Sequence, residues 1–536
     1  MPTSDEPNCS ELVAGHDVSI QTNHSGRQAK KRGRNQHGKE DVRYHESGRE
    51  NKKPRAKFDR KPWGPKPKVF DQEGNEILPE PRRPKRKVAC LIGYCGTGYY
   101  GMQFNPPLRT IEGDIFNAMV KAGAISKDNA NDPKKVRFLR SARTDKGVHA
   151  AGNVISVKLI IEDDDILEKI NANLPDTIRI WGISRVTGGF DCRKHCGSRV
   201  YEYLIPSYAF ISPRPQSPFG LRLREMNSLY PGVMRADPEG EQFWKSIDER
   251  LAAKSIDVNQ VINAFEKTRA TDKTKSAEEI QIPGEGKDDA KPTGLTEVDW
   301  QAYKTLREIE LDERLKYRIT PERLGLVRQA MKIYEGSHNF HNFTLKKSFT
   351  DPSAKRFMKN ITVSDPKLID NTEWLSIKIH GQSFMLHQIR KMIFMAAETV
   401  RAGTPIDHIM DAFLKTRVSI PKAPALGLLL ERPVFDDINN RLTSYGHSEI
   451  DFKPFDSQIE IFKQNHIYDK IFDIEMKEHT FHSFFNYLDM FNGATFLDFF
   501  TAKYARENGM QEIVQTSFED EEDREELDAQ ASDREG

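Results

Sequence analysis

The sequence predicts an α+β protein, and three observations carry that prediction. Apolar, β-branched runs of strand length alternate with stretches whose apolar residues recur at helical spacing. Within residues 85–206 the order is strand, helix, strand, strand, helix, strand, and strand and helix patterns resume across 319–435. The first order is that of a ferredoxin-like unit, an antiparallel sheet with its helices on one face. At 536 residues, with 37% hydrophobic against 30% charged residues, the chain has too little apolar material to bury throughout, so disordered flanks are expected. Basic and acidic residues number 81 and 80, so affinity for nucleic acid has to come from local patches and not from net charge. The polar N-terminus and the absence of any run of 18 apolar residues predict neither a secretory signal nor a membrane span. Five scattered cysteines are too few for a disulfide framework and fit a reducing compartment.

Residues 1–84 lack apolar periodicity and carry basic clusters at 30–34, 52–55 and 82–87, suited to nuclear import or phosphate contact. Residues 87–94 read as a strand that runs into Gly96-Thr-Gly-Tyr-Tyr-Gly101. This GxGxxG is no dinucleotide fingerprint, because Asn105-Pro-Pro107 follows where a helix would have to begin. Tyr99, Tyr100 and Phe104 beside it suit either base stacking or core filling. Thr110 caps a helix with Ile111, Ile115, Met119 and Val120 on one face, ending near Gly123. Strands at 136–140 and 154–160 then enclose a loop with Arg140, Arg143, Asp145, Lys146 and His149, in which Gly147 makes the bend and Asp145 sits at the tip among cations. A helix capped by Asp164 and a strand at 177–181 complete the unit.

Residues 190–203 offer two chemistries. Cys192, His195 and Cys196 are spaced closely enough for zinc, but a structural site takes four ligands and no second Cys/His pair is near. The other is a strand, Arg199-Val-Tyr201-Glu-Tyr203. Patterning weakens over 207–318, and 267–294 reads as a flexible insertion. Thr320 caps a helix with Pro321 at its first position. His338 and His341 lack a third ligand, which favours packing over metal. A strand at 374–381 leads into a helix from Gln382, with Met385, Ile389, Met392, Ala396 and Val400 as its stripe and Arg390 beside it. Residues 436–516 hold aromatic-rich amphipathic stretches that should pack as helices, and 517–536 is an acidic, solvated tail.

Arg143-Thr-Asp-Lys-Gly-Val148 resembles the signature of the TruA family of pseudouridine synthases, and from about residue 85 to 432, the insert aside, the chain resembles that family's eukaryotic nuclear branch. The resemblance implies two ferredoxin-like halves with antiparallel sheets flanking a central RNA-binding cleft, followed by the helical extension. It implies isomerisation of uridines to pseudouridine in tRNA, and also in intron-containing precursors, U2 small nuclear RNA and messenger RNA. Asp145 is then the catalytic carboxylate, and Arg143 fills the space left by the flipped base. Tyr201, matching an Arg-x-Tyr-x-Tyr strand, stacks on uracil and serves as acid or base. Arg390, matching a Phe-x-x-x-x-Val/Ile-Arg helix, pairs with Asp145, and Leu428 of Pro424-Ala-Leu-Gly-Leu428 walls the base. Lys146, Tyr99 and Tyr100 belong to the substrate-binding surface. The chemistry needs no cofactor, and the zinc associated with nuclear members has no named ligands here. A nuclear monomer is implied, its extension covering the surface through which bacterial members dimerise. An RNA-binding or RNA-folding protein with an inactive pocket is the alternative reading.

Overall fold

The computed structural model describes residues 83–271, 294–490 and 495–506. The basic segment up to residue 82, the 272–293 part of the stretch read as flexible, and the acidic tail lie outside the described residues. The first half contains β1 (Arg86–Tyr94), α1 (Ile111–Lys121), β2 (Leu139–Arg140), β3 (His149–Leu159), α2 (Ile166–Asn171) and β4 (Ile178–Arg185). β1 lies between β3 and β4, antiparallel to both, so its run from Val88 to Tyr94 is apolar without alternation and buried throughout. The order β4-β1-β3-β2 is the expected ferredoxin-like arrangement.

The second half starts with β5 (Ser198–Pro206). Four helices interrupt it: α3 (Pro218–Leu229), α4 (Pro238–Ala253), α5 (Val258–Thr271) and α6 (Glu297–Lys316). It resumes with α7 (Pro321–Lys332), β6 (Gly336–Asn339), β7 (Lys355–Val363), β8 (Lys367–Ile369), β9 (Thr372–Gly381), α8 (Gln388–Arg401) and β10 (Leu428–Val434). Its order, β10-β5-β9-β7, repeats that of the first half. The two halves form one continuous sheet, because β10 pairs in parallel with β3 at Leu429–His149 and Leu430–Ala150.

Three local readings are corrected. The helix expected from Gln382 begins at Gln388, and residues 382–387 form a turn that ends with His387 in the left-handed region. The cap of α2 is Asp165 and not Asp164. The insert is largely helical, and its helices are fastened by ion pairs as well as apolar stripes, which is why the periodicity is faint. Arg214 bonds Glu310 and, at 2.6 Å, Asp248, and Arg323 reaches Glu239 at 2.8 Å. Thr320 caps α7 as expected, accepting from the Arg323 amide at 3.2 Å.

Past β10 the chain is helical: α9 (Asp436–Ser444), α10 (Asp456–Phe462), a π-helical turn (Lys463–Tyr468), α11 (Asp469–Glu478), α12 (Thr480–Asp489) and α13 (Ala502–Arg506). Aromatic rings seat these helices on the sheet, with Phe462 5.3 Å from Trp181 and Phe472 4.8 Å from Trp374 between ring centroids. The π turn carries Lys463 to Glu202 of β5 (3.4 Å) and Glu431 of β10 (3.0 Å). No described helix is long and apolar enough to cross a membrane.

The C-terminal end of α8 is pinned from both sides. Arg401 bonds Glu398 at 2.7 Å, Asp489 of α12 at 2.6 Å and, through Nε, the Ile211 carbonyl at 3.0 Å. All three charged groups are buried, and burial pushes both carboxyls above their usual range. Arg401→Met leaves two buried carboxylates without their cation, so a loss of about 3–5 kcal/mol at neutral pH is expected in urea unfolding. That loss should shrink as pH falls, because carboxyls already raised by burial, Glu398 to about 7, bind protons more readily in the folded state once their cation is gone.

Candidate active site

The loop between β2 and β3 is held at its base and along its flank. At the base, the Asn153 side chain donates to the Ala142 carbonyl at 2.9 Å and accepts from the Ala142 amide at 3.3 Å. Tyr94 and Thr144 share a buried hydroxyl hydrogen bond of 2.9 Å. Along the flank lies the glycine-rich stretch after β1. The Met102 amide donates to the Thr144 carbonyl (3.1 Å), and the Gly147 amide donates to the Tyr99 carbonyl (3.3 Å). The glycines permit this approach: a Cβ on Gly101, at φ +81°, would stand 2.8 Å from the Thr144 carbonyl, and one on Gly96 would stand 2.2 Å from that of Val148. The GxGxxG string therefore cradles the loop. Glu112 of α1 adds a buried brace, accepting from Arg140 Nε and from the Phe104 amide at 2.8 Å.

Asp145 stands at the tip of this loop, 19% exposed. Among its contacts is His387, whose Nδ1 lies 3.4 Å from Oδ2 and whose ring is fully buried. Burial alone would raise the carboxyl pKa. The contact with His387 and the charges of His387, Arg390 and Lys422 outweigh that, so Asp145 sits below the usual carboxylate value. His387 is the N-cap of α8, whose dipole acts in the same direction.

Arg390 is thus at the site, but the bidentate pair with Asp145 is corrected. Its Nε donates to the Ala423 carbonyl at 2.6 Å, and it acts on Asp145 through its charge. Nη1 of Arg390 is buried with no hydrogen-bond partner among the described residues. The Ala423 amide returns a bond to the Arg390 carbonyl at 3.2 Å, which ties the segment bearing Lys422 to the catalytic helix.

Tyr201 lies on β5 opposite Leu430, and Leu428 lies opposite Tyr203, so Leu428 and Tyr201 share one face of the sheet. Phe384 of the turn meets the Tyr201 ring edge-on at 4.9 Å. Burial raises the phenol to about 12, and the Asp145 charge adds to it, so the hydroxyl keeps its proton in the resting site. Arg143 is half-buried, and burial together with Arg140 and Arg193 lowers it to about 10. That crowding of guanidinium groups suits an anionic ligand. Lys146 and Tyr100 are exposed beside Asp145, the ammonium 5.3 Å from the ring centroid. The stacking expected of Tyr99 is withdrawn: it is 3% exposed, its hydroxyl donates to Asp114 at 2.7 Å and Arg109 covers its ring.

The residues weighed for zinc do not fit it. Cys192 Sγ donates to the Leu139 carbonyl (3.3 Å), Cys196 Sγ to that of Ser198 (3.2 Å), and His195 Nδ1 accepts from the Asp191 amide (3.1 Å). Burial raises the Cys192 thiol to about 11, away from the thiolate that zinc requires. His338 and His341 are likewise spent on packing, against Phe413 and Phe349.

Sequence reasoning missed His387, a lone histidine inside an apolar stripe, and Lys422, a lone cation before a proline-rich turn. The one signal for His387 was its position three residues before Arg390, the distance of a helix's first turn.

Removing a cationic neighbour raises the Asp145 pKa. Arg390→Leu should therefore move the acid limb of the kcat profile to higher pH and lower kcat about tenfold to a hundredfold, the range set by losing an interaction with a charged group. A pH–rate series on the parent and the variant checks both.

Residues 330–436 match the sequence profile of the family described as tRNA pseudouridine synthase. The tRNA pseudouridine synthase 1 of Yarrowia lipolytica is 52% identical over 430 residues, 80% of this chain and 78% of the relative. The protein of the same name from Saccharomyces cerevisiae is 48% identical over 432 residues, 80% and 75% of the two chains. The tRNA pseudouridine(27/28) synthase of that yeast is 38% identical over 397 residues, 73% and 96%. With the repeated ferredoxin-like halves and the carboxylate loop at their seam, these matches place the chain in the TruA-type tRNA pseudouridine synthase family.

Proposed function

We propose that the protein converts uridines of tRNA to pseudouridines, with Asp145 as the carboxylate that attacks or deprotonates the target nucleotide. The observation that carries this reading is a partly exposed carboxylate kept ionised by cations from two other segments of the chain. The reaction breaks the bond from C1′ to N1, turns the uracil and rejoins it through C5, with no change of redox state and no need of phosphate energy. One positioned carboxylate supplies the covalent or basic step. The uridine has to leave its stack, at a cost of a few kcal/mol. Arg143 stands beside Asp145 to occupy the vacated space or hold a phosphate, Tyr201 meets the uracil ring, and Leu428 closes the apolar side. Tyr100 and Lys146 flank the mouth.

The same site serves intron-containing precursors, U2 small nuclear RNA and messenger RNA where a uridine is presented in a similar shape. The protein acts as a monomer in the nucleus. The first point rests on the C-terminal helices that bury part of the sheet, and the second on the three basic clusters before residue 88.

Incubation of the parent and Asp145→Asn with a transcribed tRNA, followed by nucleoside analysis, tests the reading. The parent should form pseudouridine, and the variant should lose about 10⁴-fold or more in kcat while binding tRNA within a few-fold of the parent. Activity in the variant overturns the catalytic role of Asp145. A parent that binds tRNA and modifies nothing identifies an RNA-binding protein with an inactive pocket. A fluorescent protein fused to residues 1–88 should collect in nuclei and lose that preference when the three clusters are changed to alanine.

A further inference from the structure

His387 combines three properties that a packing residue does not need together. Its ring is fully buried, its Nδ1 lies 3.4 Å from the carboxylate of Asp145, and its backbone sits at φ +58°. The left-handed region is unfavourable for residues with a Cβ, and such strain persists only where the surroundings enforce it. Here they do. The turn before α8 is closed by the Met385 amide donating to Gln388 Oε1 at 2.9 Å and by the Gln388 amide donating to the Met385 carbonyl at 3.2 Å. The His387 carbonyl then accepts the first full helical bond, from the Lys391 amide at 3.0 Å. With His387 in this conformation at the N-cap of α8, its ring lies against the catalytic loop at Asp145.

We propose that His387 is a positioning residue for the isomerisation, holding Oδ2 of Asp145 through an Nδ1 proton so that the other carboxylate oxygen faces the nucleotide. This rests on the assignment of Asp145 given above. Since an ionised carboxylate only accepts, the shared proton has to reside on the imidazole Nδ1. The charged and titratable groups around this contact are Arg390 of α8, Lys422 before β10 and the Tyr201 phenol of β5. The two cations favour the ionised carboxylate through their charge, and His387 adds a directional contact. Rotation of Asp145 about its χ angles is the freedom that this contact removes, and misplacement by as little as about 1 Å is enough to slow a reaction strongly.

Three variants separate this role from a structural one. His387→Ala and His387→Gly both delete the ring, but glycine accepts φ +58° and alanine does not, so the glycine variant should melt at the higher temperature of the two. If His387 positions Asp145, both should lose about tenfold to a hundredfold in kcat regardless of that difference, with KM for tRNA within about twofold and the acid limb moved to higher pH. His387→Asn keeps a side-chain donor and tolerates the left-handed backbone, and should recover a substantial part of the lost kcat. Parental kcat in the glycine variant, or kcat that rises and falls with melting temperature across the three, overturns the inference. If Asp145→Asn is inactive in the same assay while His387→Gly is fully active, only the positioning role fails. If Asp145→Asn is active, the assignment of Asp145 itself has failed.

Discussion

The site depends on the register of one strand. β10 is parallel to β3 on one side and antiparallel to β5 on the other, so Leu430 lies beside Ala150 and opposite Tyr201. Only two residue pairs join β10 to β3, yet they set the distance between the loop that ends at His149 and the strand that carries Tyr201. A slip of one residue would turn Leu428 and Leu430 to the opposite face and draw the Lys422 segment away from Asp145. The seam between the two ferredoxin-like halves and the reaction centre are therefore the same place. This is why the catalytic groups come from both halves and neither half holds a complete set.

Electrostatically, the seam works by opposition. A carboxylate moved out of water gains a proton unless positive charge replaces the lost hydration. The first turn of α8 and the segment before β10 supply it, through the charges of Arg390 and Lys422 and the contact with His387. None of the three lies on the loop that bears Asp145. The far end of α8 is fixed by Arg401 between Asp489 and the Ile211 carbonyl. The C-terminal helices and the insert thereby clamp the helix that tunes the carboxylate.

Much of this was legible in the sequence. The Arg-Thr-Asp-Lys-Gly string, the strand order of the first half and the Thr320 cap are local patterns, and local chemistry determines them. The repeat of the same strand order in the second half rested on resemblance, because four helices interrupt it. What escaped was set by tertiary structure. The helix start at Gln388 was hidden because the apolar stripe continues through the turn, and nothing in a periodicity reports a single left-handed residue. The insert looked weakly patterned because Arg214, Glu310, Arg323 and Glu239 carry part of its packing as buried charge. Tyr99 and Tyr100 are adjacent and chemically identical, and only the fold sends one inward to Asp114 and leaves the other on the surface.

Chain order gives the seam one more consequence. β10 is the last strand of the sheet to leave the ribosome, and it fills the centre of the sheet and not an edge. Until it arrives, β5 lacks one neighbour and β3 has on that side only the two-residue partner β2, so the nascent chain presents two adjacent open edges at the middle of its future sheet. Open edges invite pairing with foreign strands. Products of premature termination before residue 428 would thus be adhesive as well as inert. Among the described strands β10 is the last to be made, so the site cannot be whole before residue 428 has been added.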